Sequence, residues 1–264
     1  MTSICPPSVP KTCQSLFLTM DALAARWQIL APSSCCLALL DLDLLRPLIE
    51  EAAALEWLTA LLSPAEYALF RRFNYAKRRL EWLGGRLAAK HCLHRLGDGD
   101  GSSSFSYRKY SLLPDAHGRP KLEHPFAGCP IGSVSISHSR GYAAALACRA
   151  GDCGIDIQEI TPRLAAVQER FATEEELGLI DPMVAPLTRL GLLWVTKEAV
   201  KKCLLADHPS FFGAIRLDEV HFEPGRGFWT ARCRLTQPVA QSATVRMAEL
   251  GGHLIACATG NTDA

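Results

Sequence analysis

The spacing of apolar and polar residues changes several times along the chain, and each change marks an expected element. Cys35–Leu45 begins as an unbroken apolar run and ends in alternation, the pattern of a strand buried on both faces early on. Pro47–Leu62, rich in Ala, Leu and Glu, predicts a helix. Ser63-Pro64-Ala65-Glu66 then supplies a cap, a first-position proline and a third-position acid, so a new helix should start there. Helical spacing continues to about Gly97, with a break expected near Phe73–Tyr75. Extended segments follow at Phe105–Leu112, Lys121–Leu122, Gly132–Ser137 and Ala143–Cys148, the last pair joined by a hairpin at Ser139–Tyr142.

The same layout then recurs. Cys153–Ile157 is strand-like, Leu164–Arg170, Thr173–Ile180 and Leu187–Leu205 are helical, and Thr173-Glu-Glu-Glu176 is a capping box. Strands are expected at Ile215–Phe222, Gly227–Leu235, Ala243–Glu249 and His253–Ala258. The order is strand, helices, strands, twice over, with no close sequence repeat. This predicts an α+β fold of two similar halves, 33–150 and 151–264, after a weakly ordered N-terminal extension over 1–32.

Composition changes the picture little. The 264 residues are 48% apolar with a formal net charge of +1, enough for a substantial core and no bulk electrostatic drive toward nucleic acid or anionic membrane. Eleven irregularly spaced cysteines with no Cys-x-x-Cys suggest reduced thiols in a cytoplasmic enzyme. No export signal or spanning segment is evident. One basic cluster stands out: Arg71, Arg72, Lys77, Arg78, Arg79, Arg86 and Lys90. It reads either as a solvated helix face or as an anion site.

Candidate chemistry lies in three short stretches. In the helix Leu190–Leu205, Leu193, Val200 and Leu204 form an apolar stripe, and Glu198 and Lys202 stand one turn apart on another face. Alone, that pair reads as a solvated ion pair. Gly154-Ile-Asp-Ile157 puts Asp156 in a strand, and two carboxylates brought together, Asp156 and Glu198, can hold a hard cation such as Mg²⁺. Ser137 and His138 close the strand-like Ser135-Ile-Ser-His-Ser139 and can hydrogen-bond phosphate or ribose.

In order, Gly118-Arg-Pro120, Ser135-Ile-Ser-His-Ser139, Gly154-Ile-Asp-Ile157 and Trp194-Val-Thr-Lys-Glu-Ala-Val-Lys-Lys202 resemble the motifs of 4′-phosphopantetheinyl transferases of the surfactin-synthetase-activating type. The resemblance takes in Phe73–Lys90, with its Gly-Gly-Arg86, and runs from Pro64 to Leu205. It implies a pseudo-dimer of two α+β halves, acting as a monomer. The implied reaction transfers 4′-phosphopantetheine from coenzyme A to a serine of an apo acyl, peptidyl or aryl carrier protein, releasing adenosine 3′,5′-bisphosphate.

By the same resemblance Asp156 and Glu198 would bind Mg²⁺, and Glu198 would also serve as base. Lys202 would meet the pyrophosphate. Arg119, Ser137, His138 and Arg86 would bind CoA, with His138 at the 3′-phosphate. Gln158 stands where many members carry a third acidic ligand, with Glu159 beside it on the other face of the strand, and Arg119 stands where lysine is usual. The rival expectations are a CoA-binding member without transfer activity and a carrier-protein scaffold.

Overall fold

The computed structural model describes residues 14–50, 54–97, 107–123, 131–205, 212–236 and 240–260. They divide into two compact units, 1–150 and 151–264.

In the first unit, α1 (Gln14–Trp27) leads into β1 (Cys35–Asp41), which is buried along nearly its whole length because every residue from Cys35 to Leu40 is apolar. Then come α2 (Leu42–Glu50), α3 (Ala54–Leu61), α4 (Pro64–Phe70) and the long α5 (Ala76–Gly97). The hairpin β2 (Ser111–Pro114)–β3 (Pro120–Glu123) forms a small separate sheet. The hairpin β4 (Ser133–Ser139)–β5 (Tyr142–Cys148) pairs with β1 in the antiparallel order β1-β5-β4. Helix α5 lies close on this sheet because Gly84 and Gly85 face it. A Cβ at Gly84 would sit 2.4 Å from a Leu42 methyl, and one at Gly85 would sit 2.6 Å from Ile136.

In the second unit, β6 (Cys153–Glu159) is followed by α6 (Arg163–Ala166), α7 (Glu174–Gly178) and α8 (Pro186–Leu204). Strands β7 (Ile215–Glu223), β8 (Phe228–Leu235), β9 (Gln241–Leu250) and β10 (His253–Gly260) complete an antiparallel sheet of order β6-β10-β9-β8-β7. Helix α8 packs on β6 and β10.

The two units share a plan. From its first strand onward, each passes through short helices into its longest helix, makes a hairpin, and closes with a second hairpin whose last strand pairs with that first strand. They also share a buried polar device. In the first unit, Ser63 and Glu66 form a capping box at the start of α4. Glu66 also accepts from Lys90 Nζ on α5 at 2.5 Å and from the Leu112 backbone N–H of β2 at 3.0 Å. In the second, Thr173 and Glu176 cap α7. Glu176 accepts from Lys197 Nζ on α8 at 2.8 Å and from the Leu217 N–H of β7 at 3.1 Å.

One carboxylate thus ties a helix start, the long helix and the next strand together, with its charge met by a buried ammonium. Satisfying every group matters here, because an unpaired buried charge is strongly destabilising. Burial pushes the Lys90 amine down to about 8 and lowers Lys197, and in each case the nearby glutamate opposes the shift.

Four sequence expectations need correction. Within the strand expected over Phe105–Leu112, Tyr107–Lys109 form a 3₁₀ turn and β2 begins only at Ser111. Residues 14–30, assigned to a weakly ordered extension, form α1 and a short turn, with Leu16, Phe17, Met20 and Ala24 buried against the first core; residues 1–13 lie outside the described residues. Strand β1 stops at Asp41, and Leu42 already begins a helix that carries Pro47 inside it. Cys35 and Cys148 stand opposite each other on β1 and β5 and form a disulfide, so the expectation of reduced thiols fails for this pair. Cys36, Cys92, Cys153, Cys203, Cys233 and Cys257 are buried and form no disulfide. Burial raises the thiols of Cys203, Cys233 and Cys257 far above neutral pH, so they stay protonated and inert.

Candidate active site

In the second unit, the glycine of Gly154-Ile-Asp156 sets the geometry. A Cβ built on Gly154 would fall 1.9 Å from the Ala199 carbonyl oxygen and 2.7 Å from the Cys203 nitrogen, so the β6 and α8 backbones touch here as only glycine permits. This contact fixes the register of helix on strand. One position further along β6, the Ile155 carbonyl accepts from Lys202 Nζ at 2.9 Å. At the next position, the Asp156 carboxylate accepts from the same ammonium at 2.7 Å. Asp156 is largely buried and Lys202 half-buried, so this pair is screened less than a surface bridge.

Glu198 stands one turn before Lys202 on α8 and is half-buried. Its carboxylate lies 3.4 Å from Lys201 Nζ, whose ammonium also sits over the Phe212 ring. Gln158 turns its amide back to donate to the Glu159 carbonyl at 3.0 Å. The donor chemistry fits a hard cation: Asp156 and Glu198 offer charged oxygens, and Mg²⁺ commonly takes one or two carboxylates and completes its shell with water and substrate phosphates. Among the described residues, no three His, Cys, Asp or Glu side chains gather as a preformed cage.

The residue that the sequence reading passed over is Lys197, the first lysine of Trp194-Val-Thr-Lys-Glu. It is buried against Glu176 and does not belong to the exposed edge of the helix. Its burial was hinted at by Thr173-x-x-Glu176, whose acid needs a counter-charge once the capping box is covered. A pocket of about 140 Å³ opens beside this pair, lined among others by Phe171, Thr173, Phe212 and Arg216, and its walls include neither Asp156 nor Lys202.

The remaining expected residues belong to the first unit. His138 lies on β4 on the same side as Ile136, the residue that meets Gly85 of α5, and its Nδ1 is 3.8 Å from Glu81 Oε1 on that helix. Ser137 points to the other face and is buried. Arg119 closes the turn between β2 and β3, where Gly118 adopts φ +83° and Asp115 accepts from the His117 and Arg119 N–H groups. Arg119 Nε also reaches Asp115 at 2.7 Å. The Asp115 carboxyl is held below its usual range; slight burial opposes this, and the hydrogen bonds from Arg119 and His117 outweigh it.

Arg86 is buried, donates from Nε to the Leu112 carbonyl at 2.9 Å and lies over Trp82; burial lowers its guanidinium to about 10. The apparent basic cluster therefore divides. Arg71, Arg72, Lys77, Arg78 and Arg79 are exposed around the α4–α5 corner, whereas Arg86 and Lys90 are internal.

Both units are similar to known proteins. Residues 66–148 match the family model of the 4′-phosphopantetheinyl transferase N-terminal domain, and residues 152–258 match that of the 4′-phosphopantetheinyl transferase superfamily. A holo-[acyl-carrier-protein] synthase of Exiguobacterium sp. is 40% identical over 90 residues, which is 34% of this chain and 70% of that protein. One of Geobacillus kaustophilus is 34% identical over 108 residues, 40% of this chain and 80% of its own length.

Among solved structures, a holo-(acyl-carrier-protein) synthase from Bacillus anthracis in complex with CoA aligns over 43% of this chain and 92% of its own. Its identity is 21% and its TM-score 0.37, too loose a likeness to carry an argument. The chain belongs to the 4′-phosphopantetheinyl transferase superfamily and is an enzyme of the holo-[carrier protein] synthase class. No helix among the described residues is long and apolar enough to cross a membrane.

Proposed function

We propose that this protein transfers the 4′-phosphopantetheine arm of coenzyme A to a serine hydroxyl of an apo carrier protein, releasing adenosine 3′,5′-bisphosphate, in the manner of the surfactin-synthetase-activating type. The single observation that carries the reading is the seating of α8 on β6 through Gly154, which brings Lys202 of one motif onto Asp156 of another. Two motifs 46 residues apart in sequence thereby form one polar site within one unit. The shared plan of the two units and their matching Lys–Glu devices support a pseudo-dimeric origin.

In this proposal Asp156 and Glu198 hold Mg²⁺, which when bound would offset charge on the pyrophosphate as the phosphoanhydride breaks. Glu198 takes the proton from the attacking serine, directly or through a water. Lys202 donates to the pyrophosphate. Arg119, Ser137 and His138 bind the nucleotide end, with His138 at the 3′-phosphate. Arg86 stays in the CoA-binding set, although its Nε is already committed to Leu112. The enzyme is a cytoplasmic monomer in this reading.

The test is incubation with CoA, Mg²⁺ and apo carrier proteins, followed by intact-mass measurement of each carrier. A mass gain of one phosphopantetheine on a carrier is expected. Asp156→Ala should remove that gain while the protein stays folded; near-wild-type transfer by this variant at limiting Mg²⁺ would overturn the assignment.

A further inference from the structure

Lys202 makes two contacts that a residue serving only to bind phosphate would not need. Its ammonium lies on Asp156 at 2.7 Å and on the Ile155 carbonyl at 2.9 Å. The first is a charge-assisted hydrogen bond to a carboxylate on the strand, and the second fixes the ammonium to the backbone of that same strand. The lysine stem leaves α8 one turn from its C-terminus, where a cation is also favoured by the helix dipole. With a side chain only 9% exposed, Asp156 needs a counter-charge at all times.

Building on the metal reading above, we infer that Lys202 is an internal counter-cation of Asp156, one that a divalent ion must displace and that moves to the phosphates of the substrate when it does so. In the free enzyme Lys202 neutralises Asp156 and competes with metal for the same oxygen. When CoA is present, its pyrophosphate gives the displaced ammonium a new anionic partner, and the carboxylate is released to the metal. The cation against the Asp156 carboxylate would change from monovalent to divalent only when two further negative charges arrive with the substrate. Metal and CoA therefore bind cooperatively, and by linkage each tightens the other by the same factor. Lys201 has no part in this exchange, because its ammonium faces Glu198 and Phe212.

The experiment titrates Mn²⁺ against the full-length protein by the loss of the free-ion EPR signal, with and without CoA, and against a CoA-only blank. The wild type should bind Mn²⁺ weakly alone and about tenfold or more tightly with CoA. Lys202→Met should bind Mn²⁺ about tenfold more tightly than wild type without CoA, and should gain less than wild type when CoA is added, because only the direct contact of phosphate with metal is left to couple the two. Asp156→Asn placed in the Lys202→Met background should cancel the gain.

An unchanged or weaker Mn²⁺ affinity in Lys202→Met overturns the inference, as does a gain that survives Asp156→Asn. Lys202→Gln replaces the Met variant should the latter fail to keep the wild-type circular dichroism spectrum. Failure of the transfer reading is separable. A carrier left unmodified by wild type alongside the expected Mn²⁺ behaviour removes the activity and keeps the exchange, while the reverse pattern does the opposite.

Discussion

Gly154→Ala puts the smallest possible side chain where the β6 and α8 backbones meet. The added carbon would stand 1.9 Å from the Ala199 carbonyl oxygen, 2.7 Å from the Cys203 nitrogen and 3.0 Å from the Ala199 carbonyl carbon. All three are backbone atoms, so no rotamer change can relieve the clash. Reaching ordinary contact requires α8 to lift by about 1.5 Å. Overpacking of this kind costs about 1–3 kcal/mol, and because a whole helix has to move here the upper part of the range, about 3 kcal/mol, is expected.

The same lift carries Lys202 away from Asp156 and Glu198 out of register, and a misplacement of about 1 Å in a catalytic group can cost about a hundredfold in rate. Urea unfolding followed by tryptophan fluorescence measures the first effect, and carrier mass gain under conditions where the variant is folded measures the second. Gly191→Ala is the internal control. Its added carbon meets a side-chain methyl of the buried Leu254 at 2.6 Å and no backbone atom, so a side chain and not a helix has to give, and alanine favours the helix by up to about 1 kcal/mol. It should cost little and leave transfer within about threefold. Wild-type stability and rate in Gly154→Ala would refute the close approach and the register built on it.

Further outcomes follow from the same geometry. Glu198→Gln should lower kcat with little change in KM for CoA. Lys202→Ala should raise that KM and lower kcat as well, while Lys201→Ala should be nearly silent; equal losses at 201 and 202 would put the helix register in error. Gln158→Glu should lower the Mg²⁺ concentration giving half-maximal activity, provided the new carboxylate leaves the Glu159 carbonyl that Gln158 now bonds; an unchanged requirement would show that it does not. Lys90→Met should destabilise the first unit by about 3–5 kcal/mol, because it leaves Glu66 in a fully buried site without its counter-charge, and chemical denaturation measures this.

With the Lys90 amine at about 8 in the folded chain and at its ordinary 10.5 in the unfolded one, both states hold the proton below pH 8. Between about 8 and 10.5 the unfolded chain binds more protons, so stability should rise with pH there, and Lys90→Met should abolish that rise.

The periodicity of the sequence was enough to set most elements, because amphipathic spacing and caps are local. The breaks at Ser63 and Thr173 became capping boxes, the kink near Phe73 became the gap between α4 and α5, and Ile215–Ala258 became four strands close to their expected limits. The ordered motifs likewise pointed to the superfamily without any coordinates. Where local pattern failed, a distant partner decided. Residues 14–27 have no strong pattern of their own and become a helix because the first core buries one side of them. Pro47 suggests a helix start and instead lies within α2.

Charge was the least legible property. Lys90, Arg86 and Lys197 read like their exposed neighbours, because a sequence gives the charge of a side chain and not whether a carboxylate or carbonyl waits for it inside. Cys35 and Cys148, 113 residues apart, become bonded only once β1 and β5 pair in register. The sequence thus determined the elements and the kind of chemistry, since both depend on residue type and near spacing. The tertiary structure alone decided that Lys202 meets Asp156, because that contact requires two backbones to touch at Gly154.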